Sequence, residues 1–320
     1  MESIRSFLDA AGEFGERLAG VEPLPLALGL AFALTNLLLR ARGWQNILRA
    51  SYPQASLPYR DVSRAYVAGG GVNAVVPVRA GDIVKLFLVK RRAPQTRWPG
   101  LAASLVAETL FDWVIAAAIL IWAIQAGVLP GLPRLPNIPA FDLSWAFRNP
   151  ELAALVAFGV ALIVWLISRR VRAFWAEFGA GLAILRTPGA YLRRVVSWQI
   201  LAFACRVAGA YFFLEAFGVP GSLQNAVIVQ VAGALASLFP ATPGGLGPNQ
   251  ALLVVMLAGS ATRGQVLAFS VGMELTLVAF NATIGLIALV TLTGGFGIRS
   301  TIRQARASRA EAESGPDPGG

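Results

Sequence analysis

The fold of this chain is decided by residues 69–82, which read Gly-Gly-Gly-Val-Asn-Ala-Val-Val-Pro-Val-Arg-Ala-Gly-Asp. They break an apolar run, Val62–Val78, that would otherwise suit a membrane helix. A second apolar stretch, Ser222–Ala258, is broken in the same way by prolines and glycines. Non-helical backbone at membrane depth is tolerated only where it is buried in protein or lines a wet cavity. The two breaks therefore indicate an internal polar site, unless the glycines and prolines only kink ordinary helices.

Composition indicates a membrane protein. Of the 320 residues, 56% are hydrophobic and 14% are charged, whereas soluble domains carry about 25% charged residues. Histidine is absent, and the single cysteine, Cys205, lies in an apolar run. We therefore expect no metal and no cofactor, because the common imidazole and thiolate ligands are missing. The net charge of +10 comes from basic residues at the ends of apolar runs, which is typical of membrane orientation and not of nucleic-acid binding.

Five unbroken apolar runs approach the ~20 residues that a membrane-spanning helix needs. They lie near 23–39, 100–124, 151–168, 195–217 and 265–293. Most basic residues fall in four other stretches: 40–64, 79–97, 169–194 and the tail from 296 onward. Because lysine and arginine stay on the cytoplasmic side of membranes, we place all four stretches in the cytoplasm and the acidic N-terminus outside.

This placement makes each broken segment enter and leave the membrane on one side. The prediction is an all-α integral membrane protein: a polytopic helix bundle with five spans, two re-entrant hairpins of opposite entry and an inverted repeat. The alternative is that each hairpin is a pair of thin spans. We divide the chain into an interfacial amphipathic helix at 1–22, a transmembrane domain at 23–295 and a basic, then disordered, cytoplasmic tail at 296–320.

The first break carries candidate ligands for a lipid headgroup. Asn73 offers an amide at membrane depth, while Arg79 and Lys85 supply positive charge near the inner interface. Asp82 is placed to cap the following helix. These residues predict a phosphate-binding site. The alternative is that they only anchor the chain and cap a helix, which we expect for Lys90, Arg91 and Arg92.

Two acids, Glu108 and Asp112, lie within an apolar run and are spaced to share one helix face. Each charge at mid-membrane costs roughly 2.5–3.5 kcal/mol on insertion scales. The two acids must therefore face a cavity or pair with cations. The candidate partners are Arg206, Arg79 and Lys85. The alternative is an ion pair with a purely structural role.

The second break, residues 239–250, reads Phe-Pro-Ala-Thr-Pro-Gly-Gly-Leu-Gly-Pro-Asn-Gln. Thr242 and the backbone amides of Gly244 and Gly245 are candidate ligands. A helix beginning near Pro248 would direct its N-terminus at this loop, which favours an anion. In the last apolar run, Glu274 also needs a partner.

Three groups of residues resemble the lysylphosphatidylglycerol synthase transmembrane family, also called flippase-like domains. They are Asn73…Pro77-Val-Arg79-Ala-Gly81-Asp82, then Glu108…Asp112, then Thr242-Pro243-Gly244-Gly245-Leu246-Gly247. The resemblance covers roughly residues 20–295 and implies a lipid flippase or lipid-handling module.

The chain departs from the family pattern at three positions. Gln250 stands where the family usually has Glu, Glu274 where it usually has Arg, and Lys85 where Arg is more usual. Gln250 and Glu274 either preserve one contact with rearranged charge or mark a changed substrate. The aminoacyl-transferring domain of the full-length synthase has no counterpart in these 320 residues.

The sequence is compatible with three functions. The first is a lipid translocator of the bacterial inner membrane, which is not an enzyme and whose partners are anionic or phosphate-bearing lipids. The second is a membrane-embedded transferase acting on a lipid-linked substrate, which the lack of histidine and of any Asp-x-Asp pair disfavours. The third is a scaffold for a lipid-modifying enzyme. A homodimer is compatible with each of them.

Overall fold

The computed structural model describes residues 20–76, 80–125, 177–236 and 247–293. Within these ranges every regular element is a helix. In chain order they are α1 (Pro23–Ser51), α2 (Tyr59–Val75), α3 (Ala80–Arg92), α4 (Trp98–Gln125), α5 (Pro188–Ala216), α6 (Leu223–Ala236), α7 (Pro248–Met256) and α8 (Arg263–Thr293). Helix α5 contains one π-helical turn, Leu192–Val196, and follows a 3₁₀ turn, Ala183–Arg186.

Four helices, α1, α4, α5 and α8, are long and apolar enough to cross a membrane. They coincide with four of the five predicted spans, and the fifth, 151–168, lies outside the described residues. The first helix, α1, continues past the predicted apolar run to Ser51. Trp44, Ile47 and Leu48 are fully buried in this continuation, so apolar packing extends the helix beyond its arginines.

The short helices pack in pairs, α2 on α3 and α6 on α7. Helices α2 and α3 have 17 and 13 residues, which gives lengths of about 25 and 20 Å. Helices α6 and α7 have 14 and 9 residues, or about 21 and 14 Å. All four are shorter than the roughly 30 Å hydrocarbon core of a bilayer. Helix α7 begins at Pro248, as the sequence predicts.

The prediction that Gly69-Gly70-Gly71 breaks the first hairpin is wrong, because α2 runs through all three glycines. The glycines instead allow close helix contacts. A Cβ atom on Gly69 would lie 2.6 Å from the Gly81 carbonyl oxygen of α3, and one on Gly71 would lie 2.6 Å from the Asn281 carbonyl oxygen of α8. Small residues serve this purpose at helix interfaces in membranes.

The described helices follow the same order twice: a long helix, two short helices and a long helix. The first helices of the two series, α1 and α5, pack antiparallel. Near the start of α1, Gly29 contacts Phe213; midway, Asn36 Nδ2 donates to the Ala202 carbonyl at 2.7 Å; near its end, Asn46 Nδ2 donates to the Arg194 carbonyl at 2.5 Å. Helix α2 packs on α8, and α6 packs on α4.

Most of the basic residues gather at one end of this bundle. The end of α1 meets the start of α5, where Arg193 and Arg194 lie. Arg92, at the end of α3, donates to the Leu292 carbonyl near the end of α8 at 2.6 Å. At the opposite end the Glu22 N–H donates to the Ala216 carbonyl at 3.0 Å. A separate apolar core fills each end, the first around Trp44 and the second around Phe269.

Candidate functional site

Glu108 of α4 is the centre of a buried charge cluster. Its side chain is only 2% exposed. The Oε1 atom accepts hydrogen bonds from the Tyr66 hydroxyl of α2 at 2.5 Å and from Arg40 Nη2 of α1 at 3.3 Å. The Oε2 atom accepts from Lys85 Nζ of α3 at 3.0 Å. Three helices therefore each supply a donor to one carboxylate, which compensates for its removal from water.

Arg40 uses its whole guanidinium within this cluster. Nη1 and Nη2 donate to the two carboxylate oxygens of Asp112 at 2.9 and 2.6 Å, and Nε donates to the Tyr66 hydroxyl oxygen at 2.8 Å. This bidentate fork is the strongest common geometry for pairing an arginine with a carboxylate. Because Asp112 lies one turn after Glu108, the two acids share one face of α4 and hold the same cation.

Lys85 is the second cation and is also buried. Its Nζ atom lies 3.0 Å from Glu108 Oε2 and 3.4 Å from Asp82 Oδ1. The ammonium group also lies 5.0 Å from the centre of the Trp44 ring and 4.5 Å from that of Tyr66. Aromatic faces attract cations more strongly when water is excluded. Three carboxylates thus surround two cations, and the outer two, Asp82 and Asp112, are 28% and 29% exposed.

The backbone of α4 is held in place by neighbouring polar side chains. Gln199 Nε2 donates to the Glu108 carbonyl at 3.0 Å, and the Tyr191 hydroxyl donates to the Ala107 carbonyl at 3.1 Å. Trp44 Nε1 donates to Ser104 Oγ at 3.0 Å. Helices α1 and α5 therefore fix the position from which Glu108 projects.

The cluster partly matches the partners expected from the sequence. Lys85 does pair with Glu108. Arg206 does not: its guanidinium lies over the Phe203 ring at 5.1 Å, and its buried Nε has no hydrogen-bond partner. Arg79 lies outside the described residues.

Sequence reasoning missed Arg40 as the main partner of the acids, because it treated this arginine as an interfacial anchor. A signal was present. Trp44, Ile47 and Leu48 follow Arg40 at helical spacing, which indicates that the helix and its buried face continue past the charge.

The other predicted ligands of the first hairpin have structural contacts. Asn73 Oδ1 accepts a hydrogen bond from the Gly81 N–H at 2.7 Å, which ties α2 to α3 across the break. The expectation that Asp82 caps a helix is wrong, because α3 begins at Ala80 and Asp82 lies within its first turn. Its carboxylate faces Lys85 instead.

In the second hairpin, Thr242, Gly244 and Gly245 lie outside the described residues. Gln250 Oε1 accepts from the Gly247 N–H at 2.5 Å and so caps α7. Gly247 has φ +94°, a conformation that favours glycine. No hydrogen bond joins Gln250 to Glu274, and among the described helices Glu274 has no ion pair.

A cavity of about 360 Å³ opens between α1 and α5 at the arginine-rich end. Its lining includes Arg42, Arg49, Arg194, Asn46 and Trp198. Several guanidinium groups beside an indole ring are suited to an anionic headgroup at a membrane interface. The sequence alone gave no indication of this cavity, because its residues come from two helices far apart in the chain.

Long apolar helices enclosing a charge cluster define a multi-pass membrane protein. The chain belongs to the family described as the lysylphosphatidylglycerol synthase transmembrane region, which matches residues 7–285.

Two named relatives resemble the chain. One is a UPF0104 membrane protein of Methanothermobacter thermautotrophicus, 24% identical over 310 residues, which cover 89% of this chain and 88% of that protein. The other is glycosyltransferase AglD of Haloferax volcanii, 25% identical over 288 residues, which cover 76% of this chain. This second match spans 45% of AglD, so less than half of that protein is represented here.

Proposed function

We propose that this protein translocates membrane lipids by passing a phosphate-bearing or modified headgroup through a polar cavity inside the helix bundle. The observation that carries the proposal is the cluster of Arg40, Lys85, Glu108 and Asp112 inside apolar helices. Replacing a buried ion network by apolar side chains is often neutral or stabilising. The presence of such a network inside apolar helices therefore favours a function in binding or moving a charged group.

The same donors that hold the carboxylates suit a phosphate. A guanidinium fork binds carboxylate and phosphate in the same bidentate geometry, and an ammonium group binds either as a point charge. The partial exposure of Asp82 and Asp112 gives the cluster an open edge. A headgroup phosphate arriving at that edge would displace a carboxylate from Arg40 or Lys85, so no buried cation would remain unpaired during passage.

The proposed topology is an inverted repeat with two re-entrant hairpins that enter from opposite sides. It is supported by the repeated order of long and short helices, by the antiparallel contact of α1 with α5, and by the short helices of each hairpin. In transporters, binding sites lie where such broken segments meet between the repeats. We place the arginine-rich end in the cytoplasm, with the N-terminus outside and the C-terminus inside.

The headgroup path begins at the cavity between α1 and α5 in this proposal. Arg42, Arg49 and Arg194 would collect anionic headgroups at the cytoplasmic interface. Arg79, which precedes α3, and Thr242, Gly244 and Gly245, in the second hairpin, stay predicted ligands further along the path. The energy for transport would come from a gradient or from the lipid distribution itself.

A lipid-scrambling assay tests the proposal. The purified protein is reconstituted into vesicles of phosphatidylcholine and phosphatidylglycerol that contain a trace of headgroup-labelled phosphatidylglycerol, and an impermeant reductant bleaches the outer label. Translocation makes the inner label accessible. We expect Lys85→Gln to abolish this access and Arg91→Gln, at an exposed position of α3, to preserve it. The proposal would be refuted if, for every headgroup tested, the inner label stayed protected from the reductant as it does in protein-free vesicles.

A membrane-embedded transferase is the second candidate, and the name of the AglD relative favours it. The same vesicles distinguish the two functions. After incubation with a lipid-linked sugar, mass spectrometry would detect a covalently modified lipid if the protein is a transferase. A translocator changes only the leaflet in which the lipid lies. If neither change occurs, a scaffold for a lipid-modifying enzyme remains.

A further inference from the structure

The two halves of the chain have identical residues at many positions that are separated by a constant 166, with no gap. The identical pairs run from the first long helix to the last long helix of each half. They include Arg40 and Arg206, Gly43 and Gly209, Pro77 and Pro243, Gly81 and Gly247, Thr96 and Thr262, Arg97 and Arg263, Leu101 and Leu267, Ala102 and Ala268, Ser104 and Ser270, and Glu108 and Glu274.

The structure repeats the surroundings of Gly43 and Gly209 with the same offset. A Cβ atom on Gly43 would meet Val195, Trp198 and Gln199 of α5 at 3.7–3.8 Å. A Cβ atom on Gly209 would meet Gly29, Phe32 and Ala33 of α1 at 3.4–4.0 Å. Each neighbour in the first set lies 166 positions after its counterpart in the second. A local two-fold rotation therefore exchanges α1 and α5 and leaves their contact unchanged.

The last long helices repeat a hydrogen bond as well. Ser104 Oγ donates to the Leu101 carbonyl at 2.6 Å on α4, and Ser270 Oγ donates to the Leu267 carbonyl at 3.1 Å on α8. These serines precede Glu108 and Glu274 by one turn. The two glutamates therefore occupy equivalent positions on equivalent helices.

The equivalent charges are paired differently in the two halves. Arg40 and Glu108 lie 3.3 Å apart within the closed cluster. Arg206 and Glu274 form no ion pair in the described part of the chain, and Arg206 Nε is buried without a partner.

The reason lies in the residues around the second pair. The positions that correspond to Tyr66, Lys85 and Asp112 hold apolar residues in the second half: Ala232, Ala251 and Val278. The second half therefore offers Arg206 one equivalent acid, Glu274, and the guanidinium lies over the Phe203 ring instead.

We propose that Arg206 and Glu274 form a second headgroup site that opens toward the opposite side of the membrane from the Arg40 cluster. This inference rests on the proposed translocation. In this conformation Arg40 is closed on its carboxylates, whereas Arg206 forms no ion pair with a described residue and its Nε–H is available to a lipid phosphate. When the phosphate leaves, Glu274 takes its place on Arg206, and the Arg40 cluster opens in turn. Arg206 and Glu274 thus repeat in the second half what Arg40 and Glu108 do in the first.

A contact between the halves links the two sites. Gly71 of α2 packs so closely on Gly285 of α8 that a Cβ atom on Gly71 would lie 2.7 Å from the Gly285 Cα. Movement of α8 that brings Glu274 to Arg206 therefore also moves α2, which carries Tyr66 of the first cluster. Tightly packed interfaces transmit such shifts between discrete arrangements and do not absorb them gradually.

Electron-spin distance measurements test this exchange independently of transport. Cys205 is replaced by Ala, and spin labels are placed on the pair Thr35 and Thr109 or on the equivalent pair Leu201 and Leu275. Asp112→Asn removes the charge that holds Arg40. We expect it to lengthen the Thr35–Thr109 distance and to shorten the Leu201–Leu275 distance. The control Asp61→Asn should change neither. A change confined to the first pair, or no change, would overturn the inference.

A binding measurement tests the headgroup at Arg206. The Asp112→Asn variant is used because it is expected to hold Glu274 on Arg206. In phosphate-free detergent, short-chain phosphatidylglycerol should lengthen the Leu201–Leu275 distance of this variant by displacing Glu274, and adding Arg206→Gln should remove the response. Inorganic phosphate at the same concentration should have no effect, and an equal effect would overturn the assignment to a lipid headgroup. If the distances respond as expected but lipids do not cross vesicles, the translocation proposal fails and the paired sites stand.

Discussion

Arg40 and Asp112 form a bidentate ion pair, with Nη1–Oδ1 at 2.9 Å and Nη2–Oδ2 at 2.6 Å, that joins the first and fourth helices of the bundle. Asp112 is the more exposed partner of the two. In the proposed translocation this pair closes the edge of the cluster at which a headgroup arrives. We therefore expect its strength to affect both the stability of the bundle and the access to Glu108.

Arg40→Lys should lower both stability and translocation. A lysine ammonium cannot form the two parallel bonds to Asp112 together with the bond to Tyr66. Arg40→Ala removes the cation altogether, and breaking a buried pair in this way costs about 3–5 kcal/mol. The melting temperature in detergent measures the effect, with Arg91→Lys as the control at an exposed position. Equal melting temperatures for the Arg40 and Arg91 variants would show that the pair contributes nothing.

Glu108→Gln should impair translocation while leaving expression largely intact. The amide retains the shape of the side chain and an acceptor for Tyr66, but it removes the charge that Arg40 and Lys85 share. Translocation in vesicles with matched protein amounts is the measurement. Full activity of this variant would support a purely structural ion pair, whereas poor expression would call for a melting experiment that separates folding from transport.

Much of the fold follows from the sequence because long apolar runs and arginine counts are strong signals. Four spans and the two acids that share one face of α4 come from such patterns. The hairpin break was misplaced because glycine has two uses. Gly69 and Gly71 allow close packing within a helix, and only a three-dimensional contact distinguishes this use from a turn.

The ligands of the site were harder to predict than its acids. Glu108 and Asp112 are conspicuous in an apolar run, but nothing in the sequence indicates which of many arginines reaches them. Arg40 follows an apolar run of ordinary length, so the sequence does not distinguish it from an interfacial anchor. Tyr66 was missed because a lone tyrosine in an amphipathic helix carries no distinctive pattern. The cavity near Arg194 depends on an antiparallel contact between helices more than a hundred residues apart.

Gly71→Ala should separate α2 from α8. Its Cβ atom would lie 2.6 Å from the Asn281 carbonyl oxygen and 2.7 Å from the Gly285 Cα, and neither backbone atom can move alone. Overpacking of this kind costs about 1–3 kcal/mol. Gly70→Ala is the matched control, because its Cβ atom would meet only Leu37 Cδ2 at an ordinary 3.6 Å. The melting temperature should fall for the first variant alone, and a fall of the same size in both would point to the helix backbone as the cause.

The two ends of the chain should lie on opposite sides of the membrane. The acidic N-terminal segment and the basic C-terminal tail motivate this expectation. Single cysteines at Ser3 and Ser308, introduced after replacement of Cys205, can be labelled with an impermeant thiol reagent in intact cells. Ser3→Cys should react before lysis and Ser308→Cys only after it. Reaction of both cysteines before lysis, or of both only after lysis, would mean that the chain crosses the membrane an even number of times. That result would contradict the inverted repeat.

Arg79 should contact a lipid phosphate in the passage. It follows Pro77 in the sequence, between the end of α2 at Val75 and the start of α3 at Ala80. Because a guanidinium presents a planar fork that matches phosphate whereas lysine acts as a point charge, Arg79→Lys should lose much of the translocation activity and Arg79→Ala nearly all of it. Arg91→Ala, which removes an anchoring charge, should lose little. Translocation in vesicles is the measurement. Equal losses at Arg79 and Arg91 would mean that Arg79 adds only to the count of cytoplasmic charges, and the phosphate site would then have to lie at residues 242–247 of the second hairpin.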